Sequence, residues 1–146
     1  MLTRIFPVSR LPYTGARSSW YFLCVLTLLS TARSLVHLLL PDGGAQRIAG
    51  IDLAVAGGPN IVAIFGQWGA SQLVLALLGW LVVLRYRFLV PAMLLVVVVE
   101  QLLRMLSGQL KPLHIASAPP GAYGTYITLA LASIFLVLAL RPAPRP

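Results

Sequence analysis

Four long stretches of the chain are almost entirely apolar, and short polar segments separate them. The stretches cover residues 19–40, 60–84, 88–107 and 121–140. A helix that crosses a bilayer needs about 20 mostly apolar residues. The strands of a membrane barrel alternate apolar and polar positions instead, and no such alternation is present. The pattern therefore predicts an all-α integral membrane protein, a four-helix bundle whose helices run up, down, up and down.

The segments between the spans carry residues that end and begin helices. Proline and glycine cluster at residues 41–44, 57–59 and 119–121, and such clusters interrupt helices. Only residues 85–87 separate the second span from the third, which predicts an antiparallel hairpin of these two spans. Apolar residues at helical spacing in residues 46–55 predict a short interfacial helix in the first loop.

The positions of the basic residues indicate an orientation in the membrane. Seven lie in the amino-terminal tail (residues 1–18), the second loop and the carboxy-terminal tail (residues 141–146), whereas two lie in the first and third loops. Short cytoplasmic loops are enriched in Lys and Arg. Both termini are therefore predicted to be cytoplasmic, in the cell (inner) membrane. The seven are Arg4, Arg10, Arg17, Arg85, Arg87, Arg141 and Arg145, and the two are Arg47 and Lys111.

Composition agrees with a membrane protein and argues against a nucleic-acid partner. Hydrophobic residues make up 59% of the chain and charged residues 10%, whereas a soluble domain has about 25% charged residues. The net charge of +8 is spread over segments between spans and forms no basic face of the kind that binds nucleic acid. The bilayer is the expected partner. One alternative stays open: residues 30–32 have the small-x-small pattern of a signal-peptide cleavage site.

Polar residues inside the predicted spans gather at one depth. Arg33, Gln67, Glu100 and Thr128 each lie seven residues from the outer end of their span, which is about 10 Å of helix. Charged groups within a membrane are costly and mark candidate functional sites, so we expect an outward-facing polar pocket. Its candidate ligand-binding residues are Arg33, Gln67, Ser71, Glu100, Arg104 and Tyr126, supported by His37, Gln101 and Thr128.

The charges of this layer allow two interpretations. Glu100 precedes Arg104 by four residues, which is the favourable order for a helical ion pair. Arg33 then has no acidic partner of its own unless it shares Glu100, so an anion, a lipid phosphate or a ligand carbonyl would complement the layer. A purely structural role stays open too, because arginine side chains extend toward water from this depth and Glu100 can clamp two helices.

No catalytic or metal-binding motif accompanies the polar layer. The histidines are His37 and His114, and the single cysteine, Cys24, lies about 20 Å from His37 along the same helix. This spacing fits no metal site, and one acidic residue within the spans is too few for two-carboxylate chemistry. We expect no metal ion and no cofactor, and we assign no catalytic residue.

Three segments resemble the DoxX-like group of small bacterial four-helix membrane proteins. They are residues 65–72 (FGQWGASQ), the basic turn at residues 85–87 (RYR), and residues 100–104 (EQLLR), followed by Gly108. Members of that group are mostly uncharacterised, and some are linked to thiosulfate–quinone oxidoreduction or to membrane redox complexes. The resemblance implies the same four-helix fold. Because this chain has no redox motif of its own, that activity is not transferred to it.

Three functions fit the sequence. The preferred one is an accessory or binding subunit that holds a lipid, a quinone or a partner helix at its outer polar pocket. The second is a membrane enzyme or redox subunit that uses Glu100 near a quinone-like ligand. The third is a small transporter that acts as an oligomer. A partner within a membrane complex, or a second copy of the chain, is compatible with each.

Overall fold

The computed structural model describes residues 11–113 and 119–141, and the regular structure of these residues is entirely helical. Four long helices follow one another: α1 is Arg17–Leu39, α2 is Gly58–Leu84, α3 is Val90–Leu110 and α4 is Pro120–Leu140. A short 3-10 helix, Arg87–Leu89, leads directly into α3. The predicted all-α architecture with four spans is confirmed for this part of the chain.

Each of the four helices is long and apolar enough to cross a membrane. Large apolar side chains cover their outer surfaces. Leu39, Leu84 and Leu140, for example, are between 66% and 72% exposed. Soluble proteins rarely expose continuous apolar surface on this scale. The chain therefore has the surface of a multi-pass membrane protein.

The observed helix ends lie within three residues of the predicted ones. Helix α2 begins at Gly58 because Pro59, in its first turn, needs no hydrogen-bond partner for its nitrogen there. Helix α3 continues to Leu110, three residues beyond the predicted end. Helix α1 runs without interruption through residues 30–32, where the sequence left a signal-peptide cleavage site open.

Helix α1 packs mainly on α2, and α3 packs mainly on α4. Two glycines permit the close approach of α1 and α2. A Cβ atom added at Gly69 would stand 2.8 Å from the backbone nitrogen of Leu38, and one at Gly79 would stand 2.8 Å from Oγ1 of Thr27. Helices α2 and α3 contact each other much less, although the shortest connection joins them. The predicted pairing of the second and third spans is therefore a minor contact, and two other helix pairs build the bundle.

One end of the bundle, which we call the tight-turn end, lies at residues 85–86. Here Oγ of Ser19 donates a hydrogen bond to the carbonyl oxygen of Phe135 at 2.8 Å, and Nε1 of Trp20 donates to that of Val83 at 3.1 Å. Next to these contacts lies the main buried apolar cluster. It consists of Leu23, Val82, Val83, Val90, Met93, Leu94 and Ala139. The tight-turn half of the bundle is thus its apolar core.

The other end, which we call the first-loop end, contains residues 40–57. The helix predicted for residues 46–55 is wrong, because residues 41–49 form successive turns and residues 51–54 have no regular structure. Gly43, Gly44 and Gly50 have φ angles of 58°, 74° and 69°, and this left-handed conformation interrupts a helix. Asp42 stabilises the turns by accepting hydrogen bonds from the backbone N–H groups of Gly44 (3.1 Å) and Arg47 (2.9 Å).

Some predictions concern residues that the structure does not describe. Residues 1–10 of the predicted amino-terminal tail, residues 114–118 in the third loop and residues 142–146 of the carboxy-terminal tail lie outside the described residues. Arg4, Arg10, His114 and Arg145 belong to these segments.

Candidate functional site

Glu100, in the middle of α3, accepts hydrogen bonds from three side chains. Nε2 of Gln72 on α2 lies 3.2 Å from Oε1 of Glu100. Gln101 donates to Oε2, and Nε of Arg104 donates to Oε1. The predicted ion pair between Glu100 and Arg104 is confirmed. We call these four residues the carboxylate network, and it joins α2 to α3 where these helices otherwise touch little.

Trp68, one turn before Gln72 on α2, contacts two arginines. The guanidinium carbon Cζ of Arg33 lies 4.8 Å from the centroid of the indole ring, and Cζ of Arg104 lies 4.9 Å from it. Guanidinium groups at this distance are attracted by the negative potential of the ring face. We call Arg33, Trp68 and Arg104 the arginine–tryptophan cluster, and it brings α1, α2 and α3 together.

His37 links this cluster to the first loop. Its ring centroid lies 4.5 Å from that of Trp68, and its Nδ1 lies 2.7 Å from the carbonyl oxygen of Gly43. A carbonyl oxygen only accepts hydrogen bonds, so Nδ1 is the donor. His37 is buried, and it connects the backbone of the first loop to the ring of Trp68.

A cavity of about 40 Å³ lies beside the carboxylate network, with residues of all four helices in its wall. Such a volume has room for one or two water molecules. A lipid chain or a quinone ring is far larger and does not fit. Glu100, Gln101 and Thr128 were predicted from the sequence as part of the pocket. The full lining is Leu23, Leu26, Thr27, Ser30, Gln72, Leu75, Ala76, Met93, Val97, Glu100, Gln101 and Thr128.

Three residues of the predicted pocket are not brought to this site. Gln67 and Ser71 are exposed on another face of α2, where Oγ of Ser71 donates to the carbonyl oxygen of Gln67 at 3.1 Å. Tyr126 on α4 is 61% exposed. Of the six predicted ligand-binding residues, the structure therefore brings together Arg33, Glu100 and Arg104.

Trp68 and Gln72 complete the site, but counting residues along the helix did not single them out. The positions of small residues around α2 do indicate which side of the helix faces inward. At 100° per residue, Gln72 falls on the same side as Gly69, Ala76 and Gly79, which are buried, whereas Gln67 falls on the opposite side. Small residues mark close helix contacts in membranes, so this stripe identifies the inward face.

The site carries two guanidinium groups and a single carboxylate. The chain has three side-chain carboxylates. Asp42 accepts hydrogen bonds from loop amides, Asp52 accepts one from the N–H of Ala54 at 2.8 Å, and Glu100 is bound within the carboxylate network. Arg33 makes no salt bridge with any of them. Chemically, the arrangement suits the binding of an anion or a carbonyl group better than proton transfer by Glu100, whose carboxylate oxygens already accept hydrogen bonds from three side chains.

In the described part of the chain, no three His, Cys, Asp or Glu side chains come together as metal ligands. Comparison of the chain with protein families, with curated proteins and with solved structures found no match. The geometry of the site is therefore the basis for a functional proposal.

Proposed function

We propose that this protein binds an amphipathic membrane molecule, a lipid or a quinone, or else a partner helix, at the arginine–tryptophan cluster, as an accessory or binding subunit. The supporting observation is that Arg33 and Arg104 both stack on Trp68 within membrane-spanning helices. Charged side chains at such positions are costly to insert and commonly serve a function. The indole supplies apolar contact area, and the guanidiniums supply donors for a polar head.

We further propose that the four helices alternate in direction, with both termini cytoplasmic in the inner membrane. The contact of Trp20 with Val83 supports opposite directions for α1 and α2, because one residue begins its helix and the other ends its helix. The hydrogen bond from Ser19 to Phe135 supports the same relation between α1 and α4. The excess of basic residues in the tails and at residues 85–87 supports the orientation. The cluster then faces the outside.

The other two functions have weaker support. An enzyme that uses Glu100 as an acid or base needs a carboxylate oxygen directed at its substrate, whereas Glu100 is bound by three neighbours. Transport within one chain needs a wider passage than a cavity of about 40 Å³, so a transporter would have to be an oligomer. Membership of the DoxX-like group is likewise a proposal, which rests on residues 65–72, 85–87 and 100–104.

The test is to identify molecules that co-purify with the protein from native membranes in a mild detergent. We expect mass spectrometry to find an amphipathic molecule with the wild type, and to find it strongly depleted in the variant Trp68→Leu. The matched control is Gln67→Leu, a change on the exposed face of the same helix, away from its inward stripe of small residues. Helicity and elution volume check that each variant is folded. Equal recovery of the molecule from folded Trp68→Leu and from Gln67→Leu would contradict the proposal.

A further inference from the structure

We infer that Arg33 is the residue that binds the ligand's head group, and that this group is a phosphate carried by an anionic lipid. This inference rests on the proposed function and names the ligand class for the same site. Three features of Arg33 support it. Each side-chain carboxylate of the chain accepts hydrogen bonds from other groups. Arg33 is exposed beside apolar surface, and its guanidinium lies against Trp68.

The first feature is the balance of charge. Arg104 is neutralised by Glu100, four residues before it on the same helix. Asp42 and Asp52 lie in the first loop and bind backbone amides there. Arg33 and Arg104 thus share one nearby carboxylate, Glu100, and Arg33 forms no salt bridge with a carboxylate of the described residues. An arginine in a membrane span is normally paired, so a negative group from outside the chain completes the site.

The second feature is the surface around Arg33. Arg33 lies six residues before the end of α1, about 9 Å along the helix, and is itself exposed. Leu29, one turn before Arg33 on the same face of α1, is 61% exposed. A ligand that reaches the guanidinium from the bilayer can therefore lay apolar chains on this part of α1. This arrangement favours a lipid over soluble phosphate.

The third feature is the orientation of the donor. The ring of Trp68 is held by His37 and lies against the guanidinium of Arg33, which restricts that planar group to a few orientations. A guanidinium held in this way presents two parallel N–H groups to a phosphate. A neutral quinone carbonyl would accept a hydrogen bond but would leave the positive charge of Arg33 without compensation. The charge therefore favours an anionic phosphate.

The experiment measures lipid binding to the purified full-length protein in detergent by native mass spectrometry. The added molecules are phosphatidylglycerol, which is anionic, phosphatidylcholine, which is zwitterionic, a neutral benzoquinone, and inorganic phosphate alone. The variants are Arg33→Gln and Arg33→Lys. Arg47→Gln is the matched control, because Arg47 is an exposed arginine at the same end of the bundle and lies outside the cluster.

We expect phosphatidylglycerol to bind the wild type and Arg47→Gln equally. It should bind Arg33→Gln at least roughly tenfold more weakly, which is the usual loss of affinity when a hydrogen bond from a charged group is removed. Arg33→Lys should recover part of this loss, because it restores charge without the planar pair of donors. Phosphatidylcholine should bind more weakly than phosphatidylglycerol. Competition by inorganic phosphate would support phosphate as the recognised group. Binding of phosphate that depends on Arg33 but shows no preference for the lipid would instead identify soluble phosphate as the ligand.

Binding of soluble phosphate without a preference for the lipid would overturn the lipid part of the inference, and two further results would overturn the inference itself. One is unchanged affinity for phosphatidylglycerol in folded Arg33→Gln. The other is binding of the benzoquinone but not of phosphatidylglycerol to the wild type, which would leave the proposed binding function in place and reject only the ligand class. If no amphipathic molecule binds the wild type at all, the proposed binding of a lipid or quinone fails, only the partner helix is left of the proposed function, and the inference fails as well.

Discussion

Glu100 shows how a single acidic residue is accommodated in an apolar helix. Its carboxylate receives a charged donor from Arg104 and two amide donors from Gln72 and Gln101. Gln101 is buried, and the side chains of Glu100 and Arg104 are each 21% exposed. Three donors compensate for most of the hydration that the carboxylate gives up. The network therefore has a structural role whether or not a ligand binds beside it.

We predict that Glu100→Gln lowers the free energy of unfolding by about 1–3 kcal/mol, because it removes the counter-charge of Arg104 and leaves that cation in the bundle. Arg104→Gln should cost a similar amount. The double variant should be more stable than the sum of the two losses predicts, since no uncompensated charge remains. Unfolding of the purified protein by a denaturing detergent measures all four forms. Strictly additive losses would contradict the proposed coupling.

At the residue scale, the sequence predicts the ion pair and singles out its neighbours Arg33, His37 and Gln101, but it does not single out Trp68, which both arginines contact. The four-residue spacing of Glu100 and Arg104 is a local property of a helix, so it can be predicted without knowing the fold. The contact of both arginines with Trp68 joins three helices. Such a contact depends on how each helix is rotated about its axis, and counting residues along the membrane normal gives no information about rotation.

At the scale of one helix, α2 has an inward face that is built from small residues. Gly69, Ala76 and Gly79 are buried there, and α1 approaches closely at Gly69 and Gly79. Depth selects Gln67, and Ser71 follows one turn later, but both lie on the exposed face. The depth of a residue in the membrane does not determine which side of its helix it lies on. Only the side separates a site residue from a lipid-facing one. The stripe of small residues carried that information in the sequence.

We predict that Gly69→Ala destabilises the protein by about 1–3 kcal/mol, because the added methyl group would stand 2.8 Å from the backbone nitrogen of Leu38 and 2.9 Å from Cβ of His37. Backbone atoms cannot move aside as a side chain can. Gly66→Ala is the matched control on the same helix, since an added Cβ there meets nothing within 4 Å. Detergent unfolding compares the two, and equal stability of both variants would contradict the packing described for α1 and α2.

The first loop depends on the ionised form of Asp42. The pKa of Asp42 lies below its ordinary value of 3.8, chiefly because the backbone N–H of Arg47 donates to the carboxylate, with a further contribution from that of Gly44. A depressed pKa in the folded state means that the charged form stabilises the loop above the ordinary pKa, and that this contribution is lost as the pH falls through the folded-state pKa.

We therefore predict that the amides of Gly44 and Arg47 are protected from hydrogen exchange near neutral pH and lose this protection at a pH below 3.8. In Asp42→Asn at least one of the two amides should have weak protection at every pH, because an amide side chain offers only one acceptor oxygen. Nuclear magnetic resonance, with correction for intrinsic exchange rates, measures both amides. Asp52→Asn is the control and should leave them unchanged. Protection of both amides that persists in Asp42→Asn would show that other contacts hold the loop.

At the scale of the whole molecule, the four spans were predicted to within three residues, because a bilayer sets the length of an apolar segment. The choice of helix pairs was not predicted. Only residues 85–89 join α2 to α3, yet α1 with α2 and α3 with α4 make the larger contacts. Lipid chains are as apolar as leucine, so burying apolar surface does not determine which helices pair. The pairs are selected by close packing at Gly69 and Gly79 and by hydrogen bonds such as that from Trp80 to Thr31 at 3.0 Å.

The proposed orientation leads to the prediction for the whole chain. Seven basic residues belong to the tails and to residues 85–87, and two belong to the first and third loops, so in the proposed topology moving the first group across the membrane would be strongly disfavoured during insertion. A phosphatase that folds only outside the cytoplasm should be inactive when fused after residue 146 and active when inserted at Gly50 in the first loop. A green fluorescent protein, which folds inside the cytoplasm, should give the opposite pattern at the two sites. Phosphatase activity after residue 146 would reverse the orientation and place the arginine–tryptophan cluster toward the cytoplasm, where its ligand would have to come from the inner leaflet.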